Sequence, residues 1–478
     1  MKRTASAMLV FIAIILSSPV FGTSQTSAAF LPSSIEIVSP ADGSTHSSSF
    51  TVQTEASSPS GIFYVKFYID GTYLGKDYSA PYTRSIDPSS YSHGSHTIKA
   101  VMYPKDHLPS IQDTIQVYFV GGPVVEGELP WWHDVVDVEA AHNAGYYGDD
   151  TVAVIIDSGL TSKNSLIPEL EHMGYENLFP SGSVLTQYCR SYTKLHGYDN
   201  VDWDEDLQSG HGTKVTAMLL GYYVPQSWGV QNNFVMGVAP NAKVIHLRVT
   251  TTSSLLNDIS DSLLMLRDAI NYATSLKQGS FASKKMVISI SLGFAISGAP
   301  PYGFSEVETA IDNAIYHGIP VSVASGNHFV ECDPLDGACS PNHETVLYPA
   351  NFPSSTAVGS GYHPMFTSSY DSSLITTDMS ESAYMDVGIA LYSNYGPGMD
   401  LVGIGTKIYL PSWNGYSVVS GTSFACPQIT GAYLLLSTRY SSYSPSQLKT
   451  QLENTAVSNG DADHWGAGLI QLDSALNL

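Results

Sequence analysis

The sequence predicts an α/β domain, with a largely parallel sheet and flanking helices, preceded by a small all-β sandwich. Three observations carry this. Residues 33–120 hold short strands separated by turn residues, with no helical period. From Trp131 onward, apolar strands alternate with amphipathic helices. Between the two, Gly121-Gly-Pro-Val-Val-Glu-Gly-Glu-Leu-Pro130 has the composition of a linker, so residues 131–478 form the second domain.

In the first region Thr51–Ala56 alternates polar and apolar residues. Phe63–Ile69 runs into Asp70-Gly71 and then Thr72–Leu74, the pattern of a hairpin with a two-residue turn. Further strands are expected over His96–Tyr103 and Thr114–Val120. The phrases Val38-Ser-Pro-Ala-Asp-Gly43, Val65–Gly71 and Gly94–Val101 resemble bacterial and archaeal immunoglobulin-like modules, which implies attachment or spacing and no catalysis.

In the second region Thr151–Ile156 is a continuous apolar run ending in Asp157-Ser-Gly159. Ile259–Tyr272 has helical spacing and precedes the strand Met286–Leu292. Ser305 and Glu308 form the pattern of a capping box, and Val307, Ala310, Ile311, Ala314 and Ile315 line one helical face. The strand Ile319–Ala324 follows. In parallel sheets, sites gather beyond the carboxyl ends of the strands, where Asp157 and Asn327 both fall.

Charge narrows the function. The chain of 478 residues carries 20 Lys+Arg against 43 Asp+Glu, a net charge of −23, which repels a phosphate backbone and excludes nucleic acid as a partner. Residues 1–28 read as a secretory signal peptide: Lys2 and Arg3, then the apolar run Met8–Leu16, then small residues. No later segment offers about 18 uninterrupted apolar residues, so no stable membrane insertion is expected. A secreted monomer is the expectation. Cys332 and Cys339 bracket a turn-rich loop, and a disulfide there would contribute roughly 2–3 kcal/mol on the chain-entropy model. Cys189 and Cys426 are either paired with each other or free and buried.

The stretch Ser420-Gly-Thr-Ser-Phe-Ala-Cys-Pro-Gln428 sets two nucleophiles three residues apart, Ser423 and Cys426. Ile429, Ala432, Leu435 and Leu436 predict a helix. Proline is tolerated in a first helical turn, so Pro427 places the helix start near Thr422–Ser423. Ser423 then sits at the positive end of the helix dipole, where an oxyanion formed by its attack would be stabilised. Cys426 falls a turn inside, as a small packing residue. A serine nucleophile needs a base, and the base an orienting acid. His211, between two glycines in Ser209-Gly-His-Gly-Thr213, starts an apolar-patterned helix. Asp157 ends a buried strand, where an unpaired carboxylate is costly. Asn327 in Ala324-Ser-Gly-Asn327 could donate to an oxyanion. Each of the three alone also fits a packing, capping or turn role.

Together, Asp157-Ser-Gly159, Gly210-His-Gly-Thr213, Ser291-Leu-Gly293, Ala324-Ser-Gly-Asn327 and Gly421-Thr-Ser-Phe-Ala-Cys-Pro427 resemble, in one order, the subtilisin-like serine proteases (subtilases). Gly237-Val-Ala-Pro240, Tyr348-Pro-Ala350, Tyr392–Pro397 and Trp465–Ile470 extend the resemblance from Trp131 to Leu478. It implies Ser423 as nucleophile, His211 as general base, Asp157 as orienting acid and Asn327 as oxyanion donor. It also implies that Ser291, Leu292 and Gly293, with Ala324, Ser325 and Gly326, form two walls of the primary specificity pocket, accepting P1 residues broadly or favouring apolar ones.

Phe424 and Cys426 stand where the family often has Met and Ser, both packing changes. The family's usual inhibitory pro-segment is replaced in position by the immunoglobulin-like module, and unaided folding is the reading taken. Asp199, Asp202, Asp204 and Asp206 read as a solvated acidic loop that favours basic peptide segments. They are also candidates for the structural calcium that many relatives use, although no cofactor is required for the chemistry. The rival classes are an inert protease fold serving as a binding protein, and an esterase using the same serine.

Overall fold

The computed structural model describes residues 33–46, 49–91, 94–105, 109–119, 126–162, 174–194, 197–199, 210–249, 259–296, 298–327, 345–366, 372–375, 377, 379–380, 382–412 and 415–478. The expected leader, the Cys332–Cys339 loop, Asp202, Asp204, Asp206 and the side chain of Asp199 lie outside them.

In the N-terminal region, Ser34–Ser39, Phe50–Ser57 and Tyr82–Ile86 form one sheet. Ser44–His46, Ile111–Phe119, Gly94–Pro104, Ile62–Ile69 and Thr72–Asp77 form a second, each in that spatial order. Alternation along Phe50–Ser57 turns Val52 and Thr54 inward. Val52, Phe67, Ile98, Met102 and Phe119 are fully buried in the resulting core. Asp70 and Gly71 connect Ile69 to Thr72 with φ of 48° and 81°, the left-handed pair that a two-residue hairpin turn needs.

Among the described residues, the second region is built on a sheet of nine strands. Their spatial order is Gly197–Asp199, Arg190–Lys194, Lys243–Arg248, Thr151–Asp157, Lys285–Ile290, Val321–Ala324, Thr356–Tyr362 and Gly388–Ile389, with Leu401–Ile404 also paired to Thr356–Tyr362. All pairings are parallel except those of the two terminal strands. Helices cover both faces, as the apolar runs require. Along Thr151–Asp157, Val152, Val154 and Ile156 face a core shared with the helices Ile259–Gln278 and Phe304–Tyr316. Ala153 and Ile155 face the opposite core, shared with the helices His211–Leu220 and Thr422–Arg439.

The expected capping box does not form. The Phe304–Tyr316 helix starts two residues earlier, with Gly303 at its cap in a left-handed conformation (φ 93°). Ser305 is therefore already inside the first turn, and its hydroxyl donates to Glu306 at 3.0 Å. Phe304 packs edge-on against Tyr348 and Phe352, which anchors the earlier start.

The Thr422–Arg439 helix is buried without interruption from Thr422 to Ser437. A helix buried all round must satisfy its polar side chains internally. Gln428 does so across three elements: its Oε1 accepts from Ile404 N–H at 2.6 Å, and its Nε2 donates to Trp132 carbonyl at 2.6 Å. Gly403 leaves room for it, since an added Cβ there would stand 2.9 Å from Oε1. Gln428→Leu should therefore cost about 2–4 kcal/mol by leaving two buried backbone groups unpaired. Urea unfolding in a Ser423→Ala background, which suppresses self-digestion, measures the loss.

Two more buried polar groups tie stability to pH. Burial pushes His133 down to about 3, helped by nearby His142, and pushes His142 down to about 4. Both are neutral in the fold, whereas the unfolded chain takes up protons below about 6.5. Their stabilisation is complete above that pH and is lost as pH falls toward the folded values. Each should cost roughly 2 kcal/mol by pH 5. Melting temperatures at pH 7 and pH 5 should show a smaller acid-induced fall in His142→Gln, which keeps a donor for the Val238 carbonyl.

Candidate active site

Parallel register brings the candidate residues to one level. Ile156 pairs with Ile290, and Ile290 with Val323, so Asp157 and Ala324, which end their strands, and Ser291, just past the end of its own, lie side by side. Because Ile156, Ile290 and Val323 all face one core, the next residue on each strand faces the other, toward the Thr422–Arg439 helix.

Asp157 is 2% exposed, and its Oδ1 lies 2.7 Å from His211 Nδ1. The Ser158 N–H also donates to Oδ1 at 2.7 Å, and Ser158 Oγ in turn accepts from Gly212 N–H at 3.0 Å. This strap holds the carboxylate against the start of the His211–Leu220 helix, whose cap is Gly210 at φ 57°. Burial raises the pKa of Asp157. The charge and hydrogen bond of His211, then nearby His246 and the Ser158 N–H, outweigh it and hold the carboxyl below its ordinary value. An ionised carboxylate only accepts, so the neutral imidazole keeps its proton on Nδ1 and its acceptor lone pair on Nε2.

His246 is a site residue that sequence reasoning missed. It is fully buried, in register with Ile155 and on the Asp157 side of the sheet. The backbone of Gly212 passes so close that an added Cβ there would clash with Gly159 carbonyl and stand 2.7 Å from His246 Nε2. A histidine flanked by Val244, Ile245 and Leu247 was the available clue.

Ser423 is the second residue of its helix, as expected, but Pro427 lies in the second turn and not the first. Proline there removes the N–H that would bond Ser423 carbonyl. Ser291 supplies the substitute: its Oγ donates to Ser423 carbonyl at 3.0 Å, while Ser423 Oγ donates to Ser291 carbonyl at 3.2 Å. The Phe424 ring packs 5.6 Å from the His211 imidazole, setting the helix start beside the histidine. Asn327, exposed beyond the strand end, accepts through Oδ1 from Thr422 N–H at 2.8 Å and from Thr422 Oγ1 at 2.9 Å. Its oxygen is thereby fixed on the helix start, and its amide nitrogen stands near Gly421, 3.3 Å from where a Cβ on that residue would lie.

Ser291 is buried, Leu292 half-buried and Gly293 exposed, beyond the Lys285–Ile290 strand. Ala324 ends the next strand. Ser325 is tied to Val358 carbonyl at 2.9 Å and to Asn394 carbonyl at 3.2 Å, and Gly326 takes φ 114°. Among the described residues no group of three or more His, Cys, Asp or Glu could hold a metal.

The match to known proteins follows this geometry. Residues 148–468 match the model of the subtilase family, and residues 34–100 that of a bacterial Ig domain. The chain belongs to the subtilase family. It is a serine protease of that family, a hydrolase. Subtilisin E of Bacillus subtilis is 27% identical over 347 residues, covering 73% of this chain and 71% of that protein. Subtilisin Savinase of Lederbergia lenta is 27% identical over 349 residues, covering 73% of this chain and 98% of that one. Among solved structures, the serine protease MycP1 superimposes with a TM-score of 0.50 at 21% identity, covering 74% of this chain and 93% of that one, a likeness of fold.

In this subtilase Cys189 and Cys426 are both buried and are not joined to each other. Cys426 Sγ packs 3.7 Å from Ser289 Oγ and 3.8 Å from Ile290 carbonyl, and burial pushes its thiol up. A protonated, inaccessible thiol does not alkylate. Iodoacetamide on the folded protein should leave the peptide containing Cys426 unmodified by mass spectrometry and leave proteolysis unchanged.

Proposed function

We propose that this subtilase is a secreted endopeptidase in which Ser423, His211 and Asp157 act as nucleophile, general base and orienting acid. The observation that carries the reading is the 2.7 Å Asp157–His211 pair, with its carboxylate held ionised, beside a serine in the first turn of a buried helix.

Catalysis begins when the Ser423 hydroxyl turns from Ser291 carbonyl to His211 Nε2. His211 takes the proton as Oγ attacks the scissile carbonyl carbon. The oxyanion lies against Asn327 Nδ2 and the Ser423 backbone N–H at the helix start. Asn327 is suited to this because Thr422 already holds its oxygen. As the intermediate collapses, the C–N bond breaks and His211 returns the proton to the leaving amine. A water then gives its proton to His211 as it attacks the acyl carbon, the bond to Ser423 Oγ breaks, and His211 returns the proton to Oγ. Asp157 stays ionised throughout and stabilises the imidazolium. The substrate lies extended along Ser291–Gly293 as an added strand. Uncharged walls on both sides favour apolar P1 residues.

Secretion rests on the charged and apolar leader pattern of Lys2, Arg3 and Met8–Leu16. Among the described residues no helix is long and apolar enough to cross a membrane.

A fluorophosphonate probe tests the assignment. One adduct should appear in the intact mass of the wild type and none in Ser423→Ala. Casein cleavage should fall by roughly 10⁴-fold or more in Ser423→Ala and in His211→Ala. Labelling and cleavage that persist in Ser423→Ala would sink the assignment.

A further inference from the structure

We infer that Leu347 fills the primary specificity pocket and restricts this enzyme to small P1 residues such as Ala, Gly or Ser. The inference rests on the reading of Ser291–Gly293 and Ala324–Gly326 as the walls of that pocket.

The two walls leave the sheet at adjacent carboxyl ends, and Thr345–Tyr348 runs as a strap between them. On one side Leu347 N–H donates to Ser325 carbonyl at 2.9 Å, and Asn394 Nδ2 donates to Thr345 carbonyl at 2.9 Å. On the other, Tyr348 pairs with Phe294, whose N–H donates to Tyr348 carbonyl at 2.6 Å and whose carbonyl accepts from Tyr348 N–H at 3.2 Å. The strap is thus bonded to the second wall and to the residue just past the first. Its position across the gap is fixed by three backbone–backbone bonds and by the amide of Asn394, a buried side chain.

The Leu347 side chain lies between the glycines of the walls. A Cβ added to Gly293 would stand 3.1 Å from Leu347 Cβ and 3.2 Å from its Cδ1. A Cβ added to Gly326 would stand 2.7 Å from both Cγ and Cδ1 of Leu347. One leucine therefore touches both walls at the positions where neither carries a side chain. It is 7% exposed, yet it belongs to neither apolar core of the domain. It packs where an incoming side chain would otherwise go.

An aromatic P1 side chain buries about 150–250 Å² in a matching slot. Here that space is occupied, and the strap bonds prevent the leucine from swinging out with the backbone. The space that remains suits a hydrogen, a methyl or a hydroxymethyl group, and the leucine methyls present an apolar floor to it.

The experiment compares peptide anilides identical except for Ala or Phe at P1, using full-length secreted enzyme. Wild type should favour Ala by about 10-fold or more in kcat/KM, the scale on which pockets discriminate by size. A proteome-derived peptide library should give the same small-residue profile at the cleaved bond. Leu347→Gly should raise kcat/KM for the Phe substrate by about 10-fold or more, with Leu347→Ala between. Fluorophosphonate labelling confirms that each variant is folded, and the wild-type profile decides the matter even if neither variant folds. Wild-type cleavage after Phe at least as fast as after Ala, with Ser423 labelled, would overturn the plug and leave the proposed catalysis standing. No Ser423-dependent hydrolysis of either substrate would overturn the proposed function and the inference with it.

Discussion

The parallel pairing of Ile156 with Ile290, and of Ile290 with Val323, is the constraint on which the rest of the site depends. Side chains alternate along a strand, so a one-residue slip would turn Asp157 into the opposite core. There it would face the helices Ile259–Gln278 and Phe304–Tyr316, with no imidazole to meet it. The register is specified by the apolar residues themselves: Val152, Val154 and Ile156 on one face, Ala153 and Ile155 on the other. Hydrophobic burial thus fixes where a carboxylate ends up, and the carboxylate tolerates its burial through His211, His246 and the Ser158 N–H.

The Thr422–Arg439 helix depends on that edge in turn. A proline in its second turn leaves Ser423 carbonyl without an intrahelical donor, and the level of Ser291 on the sheet edge makes that donor available. The same pair of residues bonds in both directions, so the Ser423 backbone is fixed while, among the described residues, its hydroxyl has one long bond at 3.2 Å. A rigid backbone with a rotatable hydroxyl suits the proposed role of Ser423, which would give up a proton and attack. Gln428, one residue beyond the proline, locks the helix to Leu401–Ile404 and to Trp132. The polar atoms of this buried helix are therefore what hold it at a single position over the sheet.

Much of this is legible in the sequence where local chemistry decides it. The Asp70-Gly71 turn, the Thr151–Ile156 run and the meeting of Asp157 with a histidine follow from conformational preference, hydrophobicity and the cost of a buried charge. The strand Lys243–Arg248 is not, because Lys243, His246 and Arg248 break its apolar pattern. Neighbours on both sides bury His246 and Arg248 regardless. The Ser305 capping box fails because aromatic packing of Phe304 outweighs a cap worth about 1 kcal/mol. The helix start near Ser423 is legible, but its stated reason is not the one at work: Pro427 sits a turn further in, tolerated through Ser291. Contacts such as those of Leu347 with Gly293 and Gly326 leave no local pattern, because they exist only once three distant segments converge.

Chemistry and selectivity consequently occupy the same sheet edge but hang from different supports. Asp157, His211 and Ser423 are held by strand register and by two buried helices. The space between Gly293 and Gly326 holds Leu347 of the strap at Thr345–Tyr348, which is bonded to Ser325, Asn394 and Phe294. A change of side chain on the strap alters the volume offered to substrate without touching the Asp157–His211 bond. A change in register would disturb both. On the proposed roles of these residues, single substitutions at the strap would shift substrate choice while Asp157, His211 and Ser423 stay tied to the apolar core that positions them.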